Sequence, residues 1–269
     1  MAESAKDLVM HDIKRSVILD MLNKGQRMDD RAPDQYRPIS VQKGVIDTAE
    51  GSAIAKIGKT QILVGAKMAT ATPFPDRPKE GVFSVNCEFL PLANSSFEPG
   101  PPDEDSIELA RVTDRGIRSA EVEGDNSITE NFFLEEGKVM ALFLDIYVLD
   151  HSGNMTDSAS LAAIGALLDV KIPKYDPDTK TLIRNETSGK LGLKHLPIAT
   201  TFAKVGQHTL CDPTREEMLA ADAKLTITTT QNGQIAAMQK GKGAFTRDEV
   251  LDAVDVAFKK SAELRKYVL

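Results

Sequence analysis

Lys138 to Asp169 reads KVMALFLDIYVLDHSGNMTDSASLAAIGALLD, and this stretch decides the fold. Lys138 to Leu149 is apolar, aromatic and β-branched enough to make a buried strand. A turn at Ser152-Gly153-Asn154 then opens a helix over Asp157 to Asp169, whose small residues let it pack closely against a neighbour.

Upstream lies Glu108 to Glu121, ELARVTDRGIRSAE, a helix by its spacing. At roughly 100° per residue, Arg111, Arg115 and Arg118 share one face, while Leu109, Thr113, Gly116 and Ala120 share the other. Arginine carries a planar fork suited to phosphate oxygens, so such a stripe can grip an RNA backbone. From the motif alone, a solvated face flanked by Glu108, Asp114 and Glu121 is the simpler account. Ser52 to Gly58, Gln61 to Met68 and Val82 to Leu90 read as strands of a meander. TATPFPDRPKEG and ANSSFEPGPPDED read as surface loops, and the loop cations Arg77 and Lys79 as exposed charge. Ala53 to Thr60, AIAKIGKT, imitates a phosphate-binding loop. A strand-like segment follows where that loop demands a helix, so it is a hairpin turn. At the amino end, Ala5 to Asn23 repeats Val9, Ile13, Val17 and Met21 at helical spacing beside Ile18 and Leu22, and a stop follows at Gly25.

Downstream, Lys174 to Lys194 is a polar, turn-rich excursion suited to an exposed hairpin. Strands at Ile198 to Lys204 and His208 to Cys211, a polar insert DPTREEMLAAD, and a hairpin pairing Lys224 to Thr230 with Gln234 to Gln239 through Asn232-Gly233 come next. Thr246 with Glu249 is a capping box opening a last helix to about Tyr267. Strands precede helices twice, which defines an α+β chain of two similar halves: about 25–170 and 195–269, with 174–194 between them.

At 269 residues the chain can bury its own core without staples. Its two cysteines, Cys87 and Cys211, have no CxxC or His spacing around them, which suggests a reducing compartment and no metal site. No apolar run reaches the roughly 18 residues of a membrane span, and a cytoplasmic location is expected. A net charge of −7 argues against a free-standing nucleic-acid binder. Any RNA contact must be focused or shared with a more basic partner.

GQRMDDR (Gly25 to Arg31), AEGSAIAKIGKTQILVGAKM (Ala49 to Met68), ELARVTDRGIRSAE, LDIYVLDHSGNMTDSASLAAIGALL, and PIATTFAKVG through LAADAKLTITTTQNGQIAAMQKGKG occur in an order that resembles the RNase PH family of phosphorolytic 3′→5′ exoribonucleases. Among its members the chain most resembles the non-catalytic RNase PH-like subunit of the archaeal exosome. The resemblance implies a ribosomal protein S5 domain 2-like fold of two βαβ-type halves, with mixed sheets and packed helices, spanning 1–269 as a single RNase PH-like domain. It also implies a six-membered ring alternating with a catalytic sister subunit, topped by RNA-binding cap subunits, that degrades single-stranded RNA without a membrane.

Active members of that family hold phosphate at the turn before the small-residue helix, where this chain has Gly153-Asn154-Met155, and a thioether cannot neutralise phosphate. Their acidic cluster ends in Asp-x-Asp. Here that position reads Asp222-Ala223-Lys224, and an earlier carboxylate corresponds to Met218. The resemblance therefore implies no catalytic residue, metal or cofactor, with Asp222 structural. It implies RNA contact through Arg111 and Arg115, joined on their face by Arg118. The rivals are an active phosphate-dependent exoribonuclease or nucleotidyltransferase using Glu216 or Glu217, and a scaffold without RNA contact.

Overall fold

A computed structural model describes residues 5–120, 128–129 and 132–269, with side chains from residue 13 onward. In chain order the elements are α1 (Ala5–Asn23), β1 (Ile39–Lys43), β2 (Gly51–Ile57), β3 (Thr60–Ala71), β4 (Val82–Phe89), α2 (Glu104–Arg118), β5 (Phe133–Glu135) and β6 (Lys138–Asp150). There follow α3 (Met155–Asp169), β7 (Lys171–Asp176), β8 (Thr181–Lys190), β9 (Ile198–Val205), β10 (His208–Cys211), α4 (Arg215–Ala220), β11 (Ala223–Thr229), β12 (Ile235–Lys240) and α5 (Arg247–Arg265).

The chain is α+β, as its pattern requires. The first sheet has the order β1-β2-β3-β6-β4, with β5 pairing β6, and the second the order β10-β9-β11-β12; β7 and β8 form the expected separate hairpin. The first sheet corrects the meander. β4 does not lie beside β3 but pairs parallel with β6, Val82 opposite Ala141. A parallel neighbour needs a crossover, and α2 supplies it, so β4-α2-β6 is a βαβ unit. The hairpin at Gly58-Lys59 is as read: Ile57 pairs with Thr60, and Gly58 sits at φ +59.

Helix α3 is the centre of the molecule. Thr156 through Leu167 are all buried between the first sheet and β9. Its small residues make that approach possible, because a Cβ on Gly165 would lie 3.0 Å from the Cβ of Ala53 and 3.3 Å from Val41 Cγ1. β6 supplies Leu142, Leu144, Ile146 and Val148 to the same core. On its other face the second sheet meets α5 through Phe202, Leu225, Ile227, Ala253 and Ala257, while α1 buries Ile18 and Leu22 against β9, β10 and α4. Each fully buried aliphatic side chain contributes about 1.5–3 kcal/mol, so the α3 seam dominates stability.

Several bounds move, for physical reasons. α2 begins at Glu104, inside the supposed acidic loop, because Asp103 caps it by accepting from the Ser106 amide at 2.8 Å. It ends at Arg118, and Glu121 lies outside the described residues. α3 begins two residues early, at Met155, on the Asn154 cap. The polar insert DPTREEMLAAD contains α4, opened by a capping box between Thr214 and Glu217. β1 and β5 are too short and polar to announce themselves. Both cysteines are buried and free, and no helix among the described residues is long and apolar enough to cross a membrane.

Candidate functional site

Helix α2 buries Leu109, Thr113, Gly116 and Ile117 and exposes Arg111, Arg115 and Arg118, so the reading of its faces holds. A Cβ on Gly116 would approach Thr228 Cγ2 to 3.2 Å, which shows how closely the helix rides on β11. The three arginines share a face but not a state. Arg111 holds Glu108 through Nε at 2.9 Å and Nη2 at 2.6 Å, one turn away and half-exposed. Arg118 holds Asp114 at 2.8 Å, donates to the Phe83 carbonyl at 2.6 Å and lies over the Phe83 ring. Arg115 has no side-chain partner among the described residues and stands exposed. Arg77, in the loop before β4, pairs with Glu80 at 3.4 Å.

The turn at Ser152-Gly153-Asn154 is fixed by a buried polar hub built from distant parts of the chain. Arg37 clasps Asp212 with two bonds, Nε to Oδ2 at 2.9 Å and Nη2 to Oδ1 at 2.7 Å, and donates to the Ser152 carbonyl at 2.7 Å. Arg27 clasps Glu217 in the same two-pronged way at 2.8 and 2.6 Å and donates to the carbonyls of Cys211 and Asp212. Arg31 adds a third cation to Asp212 at 3.0 Å. Asn154 takes a left-handed φ of +52, and its Nδ2 donates to Asp157 and Asp212, both at 2.8 Å. Asp157 also accepts from Tyr36 Oη at 2.6 Å and from the Thr201 amide and hydroxyl.

Burial pushes Asp157 up to about 6, against the pull of its hydrogen bonds. Burial also pushes Asp212 upward, but the Arg37 bonds and charge more than offset it, and its carboxyl sits below the ordinary range. The phosphate turn is therefore rigid and its asparagine fully committed.

Beside that turn opens a cavity of about 560 Å³ between α2, α3, α4, β11 and β12. Met155 and Met218 both line it. The Asn154 amide at the head of α3 donates to the Met218 sulfur at 3.1 Å, so a thioether occupies the place where an anion would meet the helix. Lys224 also lines it, half-buried, its ammonium 3.5 Å from Thr156 Oγ1, and burial lowers its pKa. His151 stacks on Phe97 at 5.7 Å, and burial with the charges of Arg215 and Arg37 keeps its ring neutral.

Asp222 is not on this wall. It accepts from the Gly206 amide at 2.7 Å and from Arg15 at 2.6 Å, pinning the β9-β10 turn to α1, a structural role. Glu217, the rival base, is spent on Arg27 and on the Thr214 amide at 2.8 Å. The sequence reading brought Met155, Met218 and Lys224 together correctly. It passed over Arg37, Asp212 and the cavity cations Arg215 and Lys242; Thr214 and Glu217 in capping-box spacing were the one local sign of α4, which carries Arg215.

The model of the 3′ exoribonuclease family, domain 1, matches residues 35–173, and that of domain 2 matches residues 195–260. The chain belongs to the RNase PH family of 3′ exoribonucleases. Within it, the chain is 46% identical over 265 residues to the exosome complex component Rrp42 of Pyrococcus horikoshii, covering 97% of this chain and 95% of that one. The Methanothermobacter thermautotrophicus Rrp42 is 42% identical, with 97% and 96% covered. A chain of the Archaeoglobus fulgidus exosome with RNA bound to the active site superposes with a TM-score of 0.85 at 41% identity, with 96% of this chain and 98% of that chain covered. Rice Rrp46, at 15% identity and a TM-score of 0.68, shares the fold. The RNase PH-like architecture expected from the motifs is thus the architecture of the chain.

Proposed function

We propose that this chain is a non-catalytic subunit of a phosphorolytic 3′→5′ exoribonuclease ring, an exosome core in which it alternates with a catalytic sister chain beneath RNA-binding caps. The whole of 1–269 acts as one unit there. One observation carries the reading: the phosphate turn is closed from within, its helix amide bonded to the Met218 thioether and its Asn154 side chain committed to Asp157 and Asp212. Lys224 stands where an acid would serve the chemistry, so both halves of a phosphorolytic site are replaced. Similarity to Rrp42 over nearly the full length supports the assembly.

In the ring, Arg115 and Arg111 hold phosphates of the single strand passing to the partner's site. Arg115 is unpaired, and Arg111 can exchange an exposed Glu108 for a phosphate at small cost, since such surface pairs are worth about 0–1 kcal/mol. Arg118 shares the face, but its bonds to Asp114 and the Phe83 carbonyl favour a structural share.

Two measurements test this. The purified chain, incubated with single-stranded RNA, inorganic phosphate and Mg²⁺, releases no nucleoside diphosphate, whereas mixing with the sister chain yields an active ring of alternating subunits by light scattering. Activity of the chain alone, abolished by Glu216→Gln, would restore the rival enzyme. In the assembled ring, replacing Arg111 and Arg115 by alanine lowers RNA affinity and reduces the salt slope by roughly 0.7 per lost phosphate contact. Unchanged affinity with the ring intact would reduce the subunit to a scaffold.

A further inference from the structure

The cavity beside the closed phosphate turn is chemically two-sided. At one side stand Arg215 at the start of α4, Lys224 on β11 and Lys242 just past β12, whose carbonyl accepts from the Lys224 amide at 3.2 Å. None of these three cations forms an ion pair among the described residues, and Lys224 is half-buried. Holding an uncompensated ammonium away from water is costly, and an anion brought to it relieves that cost. At the other side, Phe97 stacked on His151 joins Leu109 and Val112 in an apolar and aromatic wall.

The rim carboxylates do not cancel the cations. Glu108 is taken up by Arg111 through Oε2 and by Gln239 through Oε1 at 2.9 Å, which leaves Asp105 as the acid facing the cavity. The volume, about 560 Å³, falls within the roughly 300–1,000 Å³ of small-ligand sites. An anion cannot use the α3 amides, where the Met218 sulfur sits, so the cations across the cavity are its seat.

We infer that this cavity binds a mononucleotide, a nucleoside diphosphate fitting best, with its phosphates on Arg215, Lys224 and Lys242 and its base against Phe97 and His151. The site involves no chemistry and no residue of the arginine stripe. It stands independently of the ring assignment, because binding is read on the full chain by itself.

Isothermal titration of the full chain with ADP, AMP, adenosine and inorganic phosphate, without Mg²⁺, tests it. One ADP binds per chain, more tightly than AMP, with adenosine and free phosphate weaker than either. Arg215→Ala and Lys242→Ala each weaken ADP about tenfold, the loss of one charge-assisted contact, while Arg115→Ala leaves it unchanged. Lys242 is exposed, so its variant folds even where Arg215→Ala disturbs α4, and a thermal melt checks both. Absence of saturable ADP binding, or binding indifferent to Lys242→Ala, overturns the site; phosphate binding as tightly as ADP overturns the nucleotide assignment.

Discussion

The chain carries two arginine clusters of opposite character. Arg27, Arg31 and Arg37 are sunk beneath the start of α3, each committed to carboxylates and carbonyls, whereas Arg111 and Arg115 stand on the outer face of α2 with a loose partner or none. The same side chain serves as a structural rivet in one place and as an available hand in the other. Burial and satisfaction separate the two, and neither can be read from a count of charges.

That contrast can be broken from its strong end first. Arg27→Ala leaves Glu217 buried and unpaired, and loss of one partner of such a pair costs about 3–5 kcal/mol, lowering the melting midpoint by on the order of 10 °C. A midpoint within a degree or two of wild type would show the pair relaxing freely into water. Gly153→Ala comes next: φ is +95, and a Cβ would meet the Thr214 carbonyl carbon at 2.4 Å, so strain and displacement together cost about 3 kcal/mol by denaturant titration.

Asp157 sharpens the comparison through pH. Its folded pKa of about 6 lies above the ordinary 3.8, so the folded chain takes up a proton between those values, and stability from this group falls as pH rises from about 4 to 6. Asp212 acts in the opposite sense: its lowered pKa lends stability that is present above the ordinary carboxylate value and lost as pH falls through the folded value. Melting Asp157→Asn beside wild type from pH 4 to 7 should therefore show the variant gaining relative stability across that window. A constant difference would show that Asp157 does not titrate there. The smallest effect belongs to Arg111→Ala, about 0–0.5 kcal/mol in the melt of the chain alone, since an exposed pair one turn apart contributes little. A loss above 1 kcal/mol would move Arg111 into the structural class.

Much of the architecture was legible because its signals are local. The faces of α2 follow from helical periodicity, the Thr246 and Glu249 capping box opens α5, and Asn232-Gly233 joins β11 to β12. The replaced groups at Met155, Met218 and Lys224 were legible through the family motifs and converge on one cavity. What stayed hidden is non-local. Arg27 and Glu217 meet across 190 positions and Arg37 and Asp212 across 175, and no window of sequence pairs them. The place of β4 was hidden for the same reason, because its neighbour β6 lies beyond a helix. The free state of Arg115 was equally silent, since its spacing matches that of its paired neighbours.

The wedge of Gly153 against the Thr214-Arg215 backbone has a consequence for how the molecule breathes. It locks the head of α3, which is seated on the first sheet, to the head of α4, which belongs to the second, and Arg37 and Asp212 bolt the joint from below. Neither half can open by itself without tearing that joint. Amide protons in β6 and in β9 should therefore exchange with deuterated water together, at the rate of global opening, while those of the outlying β7-β8 hairpin exchange earlier and independently.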